Sequence, residues 1–284
     1  MRDLKSRYGS RALVTGATSG LGEAYARSLA AMGFDVILTG RREDRLNALA
    51  AELKSTHGIA VLPIACDLQS PTGPASLVQQ IHDHGWEVDL FINNAGYGKV
   101  AQFGDAASDE PNNTTGNNAC KDMLGMIDLN CRAVTELTHH LLPGMRKRQR
   151  GGIVIISSVA AYIPLPYMSV YAATKAFDLL LAEGLFHECR RDGVDILAVA
   201  PGVTKTEFAQ RAGSVRFKGP SRVPEQVVRT TWRAIGRKPR VVDGWTNNLA
   251  VAILSIIPRR LAAYVVAKSL RSSAMDQTSS SPGQ

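Results

Sequence analysis

Three side chains in the middle of the chain have the types and spacing needed for acid–base chemistry. Tyr171 and Lys175 are four residues apart, and Ser158 lies thirteen residues before the tyrosine. On a helix, this spacing places the phenol and the ammonium on the same face. The cation stabilises the phenolate there and lowers a tyrosine pKa that is about 10 in the free side chain. The sequence therefore predicts that Tyr171 exchanges a proton near neutral pH while Ser158 holds a substrate oxygen beside it.

The same tyrosine–lysine spacing occurs again at Tyr264 and Lys268. Position 251, thirteen residues before Tyr264, is a valine, and no glycine-rich turn or strand end leads into that segment. The sequence therefore predicts that Tyr264 packs on an amphipathic helix, and it assigns the chemistry to Tyr171.

A second candidate site, for a dinucleotide, lies near the N-terminus. The apolar residues 11–15 predict a buried strand, and a helical pattern follows as far as Gly33. In such a strand–turn–helix unit, glycines allow the backbone to approach a pyrophosphate closely, and the helix N-terminus faces its charge. The residues of the turn that we predict to bind the cofactor are Gly16, Thr18, Ser19, Gly20, Leu21 and Gly22.

The residues after the next predicted strand, 35–39, indicate which dinucleotide binds. Arg41 and Arg42 follow that strand, and Arg41 lies nineteen residues after the last glycine of the turn. An acidic residue there would hold the ribose 2′-hydroxyl of NAD, whereas guanidinium groups pair with a 2′-phosphate. The sequence favours NADP. The alternative is that Arg41, Arg42 and Arg45 are only the solvent-exposed start of the following helix.

Together these motifs resemble the short-chain dehydrogenase/reductase family in its shorter, single-domain form. Besides the residues above, the matching segments are Asn93-Asn94-Ala95-Gly96, Ile127-Asp128-Leu129-Asn130, and Pro201-Gly202 followed by Thr206. The resemblance covers about residues 10–245. Less specifically, residues 39–46 and 258–260 resemble a bacterial subgroup related to membrane-associated 3-oxoacyl and hydroxysteroid reductases. The main departure is the Asn-rich stretch 107–120, where a shorter link is expected.

The resemblance implies NADP(H)-dependent interconversion of a carbonyl and an alcohol. It implies that Tyr171 donates a proton to the carbonyl oxygen and that Ser158 hydrogen-bonds that oxygen. Lys175 would lower the tyrosine pKa and bind the nicotinamide ribose, while Asn130 anchors a water that connects Lys175 to solvent. Ser157 competes with Ser158, but neighbours on an extended segment point to opposite sides, and the family spacing selects Ser158. The further cofactor contacts that it implies are Asp67, Leu68, Asn94, Gly96, Val203 and Thr206.

Strand-like and helical segments alternate along the chain without a linker. This pattern predicts a single α/β domain with a doubly wound parallel sheet, a Rossmann fold. The remaining predicted strands are residues 59–65, 88–92, 153–156, 194–200 and 240–242. We expect a catalytic domain over residues 1–245, apolar helices over 246–270 and a disordered tail over 271–284.

Charge and cysteine content bear on other classes of function. The formal charge of +8 is dispersed except at residues 146–150, where cations suit a helix end, so no nucleic-acid binding is predicted. The four cysteines have no metal-like spacing, and no secretory signal precedes them. We therefore expect reduced thiols in a cytoplasmic protein and no metal site.

The C-terminal segment is unusually apolar. Residues 249–257 and 261–270 form two apolar stretches that are separated by Pro258, Arg259 and Arg260, and each is too short to span a bilayer. Three roles are possible, in this order of preference: a wall of the substrate pocket, a dimer surface, or an amphipathic membrane contact. A homodimer or homotetramer is the expected assembly.

Two other functions stay open on the sequence alone. A non-catalytic NADP-binding regulator or scaffold would have a damaged set of catalytic residues, and no damage is seen. An NAD-linked sugar epimerase or dehydratase would need a longer C-terminal substrate domain, for which the chain has little room. The pocket residues are expected between Gly202 and Pro220 and in the C-terminal helices. They are apolar enough for a hydrophobic ketone, or a 3-oxoacyl or steroid-like substrate, but they encode no headgroup.

Overall fold

The chain folds around one parallel sheet. The computed structural model describes residues 4–104, 119–208, 212 and 221–278, the last ten of these as backbone only. The strands are β1 (Arg11–Thr15), β2 (Asp35–Gly40), β3 (Val61–Ala65), β4 (Leu90–Asn93), β5 (Gly151–Ile156), β6 (Val194–Ala200) and β7 (Arg240–Val242). They pair in the order β3-β2-β1-β4-β5-β6-β7, and all neighbours run parallel.

Helices connect the strands and cover both faces of the sheet. The α-helices are α1 (Leu4–Tyr8), α2 (Gly20–Ala31), α3 (Glu43–His57), α4 (Gly73–Asp83), α5 (Ala119–Ile127), α6 (Ala133–Lys147), α7 (Ser169–Cys189), α8 (Pro224–Ala234), α9 (Trp245–Ile256) and α10 (Arg259–Thr278). A π-helical turn, Asp128–Arg132, joins α5 to α6. This architecture confirms the predicted doubly wound Rossmann fold.

Two apolar layers hold the sheet in place. Strand β5 is buried at every position, as expected for a parallel strand that is covered on both faces. One layer packs α2, α3 and α8 on the sheet, where the rings of Tyr25 and Trp232 meet edge-on with centroids 5.5 Å apart. The other layer packs α4, α6 and α7 around the fully buried Phe91. Strand order reverses between β1 and β4, and in such folds a crevice opens at this point of reversal.

The strand boundaries differ slightly from the predicted ones. Strand β3 begins at Val61 rather than residue 59, β4 covers Leu90–Asn93 rather than 88–92, and β5 begins at residue 151 rather than 153. Asp89 explains the start of β4. Its carboxylate accepts hydrogen bonds from the N–H groups of Ser10 and Arg11 at 2.8 and 3.1 Å, so its side chain binds the start of the neighbouring strand β1.

The C-terminal region departs further from the sequence-based expectations. Helix α10 continues to Thr278, past residue 271, where the predicted disordered tail begins; residues 279–284 lie outside the described part. Tyr264 is 67% exposed, so the prediction that it packs on the protein is wrong. Of the Asn-rich stretch 107–120, only Ala119 and Cys120 are described, as the first residues of α5. The division at residue 245 stays a prediction.

Candidate active site

The predicted catalytic and cofactor residues converge at the carboxyl ends of the central strands. Gly16 follows β1, Asn94 follows β4, Ser158 comes soon after β5 and Pro201 follows β6. All four line one cavity with a volume of about 830 Å³. Because parallel strands end at the same edge of a sheet, segments that are distant in sequence meet there.

Tyr171 and Ser158 lie side by side in this cleft. Tyr171 is on the first turn of α7 and is 8% exposed, and the Ser158 hydroxyl lies near enough to its phenol to lower the phenol pKa. Ser158 also accepts the backbone N–H of Ala160 at 3.1 Å, which fixes its side chain at the start of a short 3-10 turn. Ser157 instead donates its hydroxyl to the backbone carbonyl of Lys175 at 2.7 Å. The structure thus places Ser158 beside the phenol and ties Ser157 to α7.

Lys175 lies one turn further along α7, with its charge held below the surface. Its Nζ donates to the carbonyl oxygen of Ile156 at 2.8 Å and to Oδ2 of Asp178 at 2.9 Å. Sequence reasoning missed Asp178. The signal that points to it is its position, seven residues after Tyr171 on the same face of the helix.

Burial dominates the proton affinity of the phenol. It raises the pKa of Tyr171 above the ordinary value, while the ammonium of Lys175 and the hydroxyl of Ser158 lower it without cancelling the effect of burial. The lowered pKa predicted from the spacing is therefore wrong as a net effect, although the lysine acts in the predicted direction. A phenol with a raised pKa is protonated at neutral pH, as a proton donor must be.

Asn130 joins two segments behind the catalytic pair. It lies on the π-helical turn and is fully buried. Its Nδ2 donates to the carbonyl of Tyr97 and to the Thr174 hydroxyl, both at 3.0 Å, and its Oδ1 accepts the N–H of Tyr97 at 3.2 Å. Asn130 therefore contacts α7 at the residue before Lys175. A π-helical turn inside an α-helix is frequently found at a functional site.

The glycine-rich turn lets its backbone come close to a ligand. Gly20 begins α2 with a φ of +58°, a conformation that favours glycine. A Cβ at Gly22 would clash with the carbonyl oxygen of Gly16, so α2 packs directly against the turn. Gly22 lies beneath the turn, and the predicted residues that line the cavity are Gly16, Thr18, Ser19, Gly20 and Leu21. The N-terminus of α2 thus borders the cleft, and such a terminus suits an anion.

Two guanidinium groups border the cleft beside the glycine-rich turn. Arg42 is partly buried and donates to the hydroxyls of Thr18 and Ser19 at 2.9 and 3.1 Å. Arg41 is exposed, and both arginines line the cavity. These side chains can meet an anionic group at the ribose end of a dinucleotide, which is the chemistry that a 2′-phosphate requires.

Glu207, from the segment that follows β6, balances the charge of these arginines. Its carboxylate pairs with Arg42 at 3.3 Å and with Arg45 at 2.8 Å. Arg45 is not among the residues that line the cavity, whereas Arg41 and Arg42 are. The Arg42–Glu207 contact joins residues 165 positions apart, so no local pattern in the sequence points to it.

The remaining predicted cofactor contacts also border the cleft. Those residues are Asp67, Leu68, Asn94, Gly96, Val203 and Thr206. Thr15, which sequence reasoning did not single out as a site residue, organises part of this set. Its hydroxyl accepts the N–H groups of Asn94 and Ala95, both at 3.0 Å, and its carbonyl accepts the Asn94 amide at 2.9 Å. Thr15 thereby ties the ends of β1 and β4 together where the strand order reverses.

The other end of the cleft is apolar. Its lining side chains include Ile163, Leu165, Phe208, Ala250, Val251 and Leu254. The ring of Phe208 lies 5.5 Å from that of Tyr171, centroid to centroid, so the apolar wall reaches the phenol. Three of these apolar residues, Ala250, Val251 and Leu254, belong to α9, which supports the pocket-wall role for that helix. Residues 209–211 and 213–220, where further pocket residues are predicted, lie outside the described part.

The described part of the chain has neither the features of a metal site nor those of a membrane span. The four cysteines are free thiols. Among the described residues, no three or more His, Cys, Asp and Glu side chains form a group that could hold a metal ion. No helix in the described part is both long and apolar enough to cross a membrane.

The sequence matches known oxidoreductases over most of its length. The family model described as short chain dehydrogenase matches residues 10–216. A serine 3-dehydrogenase from Agrobacterium fabrum is 34% identical over 239 residues, which cover 81% of this chain and 89% of the relative. A very-long-chain 3-oxoacyl-CoA reductase from Homo sapiens is 30% identical over 264 residues, which cover 91% and 78% respectively.

Solved structures show the same architecture. A short-chain dehydrogenase from Sphingobium yanoikuyae in complex with NADPH has a TM-score of 0.73 at 28% identity, covering 97% of this chain and 98% of that one. A 7beta-hydroxysteroid dehydrogenase structure has a TM-score of 0.81 at 24% identity, covering 93% and 99%, and so shares the fold. With the family match and the fold in agreement, the chain belongs to the short-chain dehydrogenase/reductase family of oxidoreductases.

Proposed function

We propose that the protein catalyses the NADP(H)-dependent interconversion of a hydrophobic ketone and its secondary alcohol. The observation that carries this proposal is the meeting of Ser158, Tyr171 and Lys175 in one cleft with the glycine-rich turn. A proton donor and a dinucleotide-binding turn then serve the same cavity. The undamaged set of catalytic residues gives no support to a non-catalytic regulator or scaffold.

Each catalytic residue has one task in the proposed reduction. When bound, NADPH supplies the hydride for the carbonyl carbon. Tyr171 donates its proton to the carbonyl oxygen, and Ser158 donates a hydrogen bond to the same oxygen. Lys175 stabilises the phenolate that remains until it takes up a proton again. Asn130 keeps the segment at Tyr97 in contact with α7 and, by family resemblance, anchors the water that connects Lys175 to solvent.

The preference for NADP rests on the edge of the cleft that carries Arg41 and Arg42. Arg42 is already held against the glycine-rich turn by hydrogen bonds to Thr18 and Ser19, so that little side-chain entropy is lost when it meets a 2′-phosphate. The NADPH complex of the Sphingobium yanoikuyae relative supports this choice. We assign Asp67 and Leu68 to the adenine.

The substrate proposal rests on the apolar wall beside Tyr171. Side chains such as Leu165, Phe208, Val251 and Leu254 would bury a hydrophobic ketone, or a 3-oxoacyl or steroid-like substrate, next to the proton donor. The 3-oxoacyl-CoA reductase and 7beta-hydroxysteroid dehydrogenase relatives carry names that fit such substrates. The serine 3-dehydrogenase relative is named for a small polar substrate, for which this wall offers no matching groups.

The outer face of α9 carries exposed apolar side chains that could contact a second subunit or a membrane. Leu249, Ile253 and Ile256 are 53%, 49% and 84% exposed, on the side of the helix away from the cavity. For this face we retain a second subunit in a homodimer or homotetramer as the first proposal, and a peripheral membrane contact assisted by Arg259 and Arg260 as the second. A cytoplasmic location is proposed for the protein.

A panel of carbonyl compounds tests the proposed function directly. The purified protein would be incubated with ketones of increasing apolar size, and consumption of NADPH and of NADH would be followed in parallel. We expect turnover with NADPH, slower turnover with NADH, and higher kcat/KM for bulky apolar ketones than for small polar ones. Absence of turnover across the panel, in both directions and with both cofactors, would contradict the proposal.

A further inference from the structure

Asp178 is a buried carboxylate directly behind the catalytic pair. Tyr171, Lys175 and Asp178 occupy positions i, i+4 and i+7 of α7, so they share one face of the helix. Asp178 is 0% exposed, and its Oδ1 has no hydrogen-bond partner among the described residues. Burying a carboxylate in this way costs stability even when one oxygen is paired. A role for Asp178 other than stabilising the fold is therefore indicated.

The ammonium of Lys175 is held from behind by two acceptors. One is the neutral carbonyl of Ile156 at 2.8 Å, and the other is Oδ2 of Asp178 at 2.9 Å. An ammonium has three N–H donors, so one remains for the cleft. Lysine has a long and flexible stem, and two fixed acceptors define where its charge lies relative to the phenol of Tyr171.

The carboxylate also opposes the effect of that charge on the phenol. Burial raises the pKa of Tyr171 most, Lys175 lowers it, and Asp178 raises it again. Burial lowers the pKa of Lys175, but the charges of Asp178 and Tyr171 outweigh burial and leave it above the ordinary value. Burial raises the pKa of Asp178 to about 6 against the opposing effect of Lys175, so the carboxyl group is ionised at neutral pH.

We propose that Asp178 is a positioning residue that holds the Lys175 ammonium in place and partly cancels its charge, which favours the protonated, proton-donating form of Tyr171. This inference rests on the proposed function. Without Asp178, a net positive charge would stand beside the phenol and favour the phenolate, the form that accepts a proton from an alcohol. Asp178 thereby sets the pH range in which carbonyl reduction is fastest.

The groups that surround the cluster do not produce the same effect. Cys131 faces it from the π-helical turn, and burial together with Asp178 raises the pKa of that thiol to about 11, so it carries no charge at neutral pH and is present in the unaltered protein and in every Asp178 variant alike. Asn130, Thr174 and Ser157 are polar neighbours that do not titrate. Among the described residues, Asp178 is therefore the acidic group beside Tyr171 and Lys175 whose negative charge a substitution can remove.

Neutral replacements of Asp178 test the proposal. Asp178→Asn keeps the shape of the side chain, and Asp178→Ser removes the charge in a smaller one; Glu188→Gln removes an exposed charge on the same helix as the control. The measurement is the pH dependence of kcat/KM for ketone reduction with NADPH and for alcohol oxidation with NADP. Reduction needs the phenol, so its rate falls as pH rises through the Tyr171 pKa. Oxidation needs the phenolate, so its rate rises there.

We expect both curves to move to lower pH in the Asn and Ser variants, because removal of the carboxylate lowers the Tyr171 pKa. The Glu188→Gln curves should coincide with those of the unaltered protein. A structural role for Asp178 would lower the rates without moving the curves. Unmoved curves in either folded neutral variant overturn the proposal.

A titration without turnover separates this proposal from the proposed function. The ultraviolet absorbance of tyrosinate, taken as the difference between the protein and its Tyr171→Phe form, reports the ionisation of Tyr171 alone. Asp178→Asn should move that ionisation to lower pH even if no ketone is a substrate, a result that would sink only the proposed function. In the unaltered protein, ionisation of Tyr171 below the ordinary tyrosine value of about 10 would overturn the role of Asp178.

Discussion

The two ends of the cleft are built in different ways. At the cofactor end, hydrogen bonds and ion pairs join segments from many strands, such as Thr15 to Asn94 and Arg42 to Glu207. At the substrate end, α9 contributes apolar side chains to one wall and leaves Trp245 77% exposed on the outside. Bonds with defined directions fix the positions of reacting groups, whereas apolar contacts specify mainly size and shape. Groups held by directional bonds therefore indicate the reaction class, whereas the apolar wall indicates the size and shape of a substrate.

Removal of the Tyr171 hydroxyl should have the largest effect. Tyr171→Phe removes the proton donor while its ring still packs against Phe208, so we expect kcat to fall by about 10² or more and NADPH affinity to stay nearly unchanged. Steady-state kinetics and a fluorescence titration of NADPH measure the two quantities. Tyr264→Phe is the matched control, because Tyr264 lies outside the cavity, and it should behave as the unaltered protein. A Tyr171→Phe enzyme with full activity would contradict the assignment of Tyr171 as the proton donor.

The apolar wall should respond next most strongly. Leu254→Asp introduces a charge into the apolar wall that we propose buries the ketone, so we expect KM for a bulky ketone to rise about tenfold or more, with NADPH affinity retained. Ile253→Asp introduces the same charge at the neighbouring position, which does not line the cavity, and should change KM little. Equal increases in KM for the two variants would contradict the assignment of the inner face of α9 to the substrate pocket.

Cofactor preference should change with Arg41. Arg41→Asp places a carboxylate where a 2′-phosphate is expected, so NADPH affinity should fall about fivefold to tenfold while use of NADH improves. The effect is limited because Arg41 is exposed to solvent, which screens its charge. Lys54→Asp, further along α3 and exposed, makes the same change of charge away from the cleft. Equal NADPH dissociation constants for the two variants would show that Arg41 takes no part in binding.

The smallest expected effect concerns Glu207. Glu207→Gln removes the carboxylate that pairs with Arg42 and Arg45, so both guanidinium groups become available to an anion. We expect NADPH to bind about twofold more tightly at low salt, with the gain lost as salt is added. The exposed Glu225, on α8, provides the control as Glu225→Gln. Weaker NADPH binding by Glu207→Gln would instead indicate that the carboxylate orients Arg42 for the cofactor.

Sequence patterns predict the parts of this molecule that depend on neighbouring residues. The alternation of strands and helices predicts the Rossmann fold, and short motifs are enough to nominate Ser158, Tyr171 and Lys175. Features that depend on distant contacts or on burial are missed. The net pKa shift of Tyr171 depends on its depth in the protein, which spacing does not report. The pairing of Arg42 with Glu207 spans 165 positions, and the exposure of Tyr264 depends on where α10 lies.

The two faces of helix α9 belong to one element, so a change in its position at the outer face is also felt at the inner face. Val251 and Leu254 border the cavity, while Ile253 and Ile256 are open to whatever covers them. A partner that favoured one position of the helix would change the affinity for the proposed ketone through the inner face. Thermodynamic linkage then requires the ketone to change the affinity for that partner by the same factor. Substrate concentration and the degree of self-association would thus be coupled variables in any preparation in which the outer face is covered by a second copy.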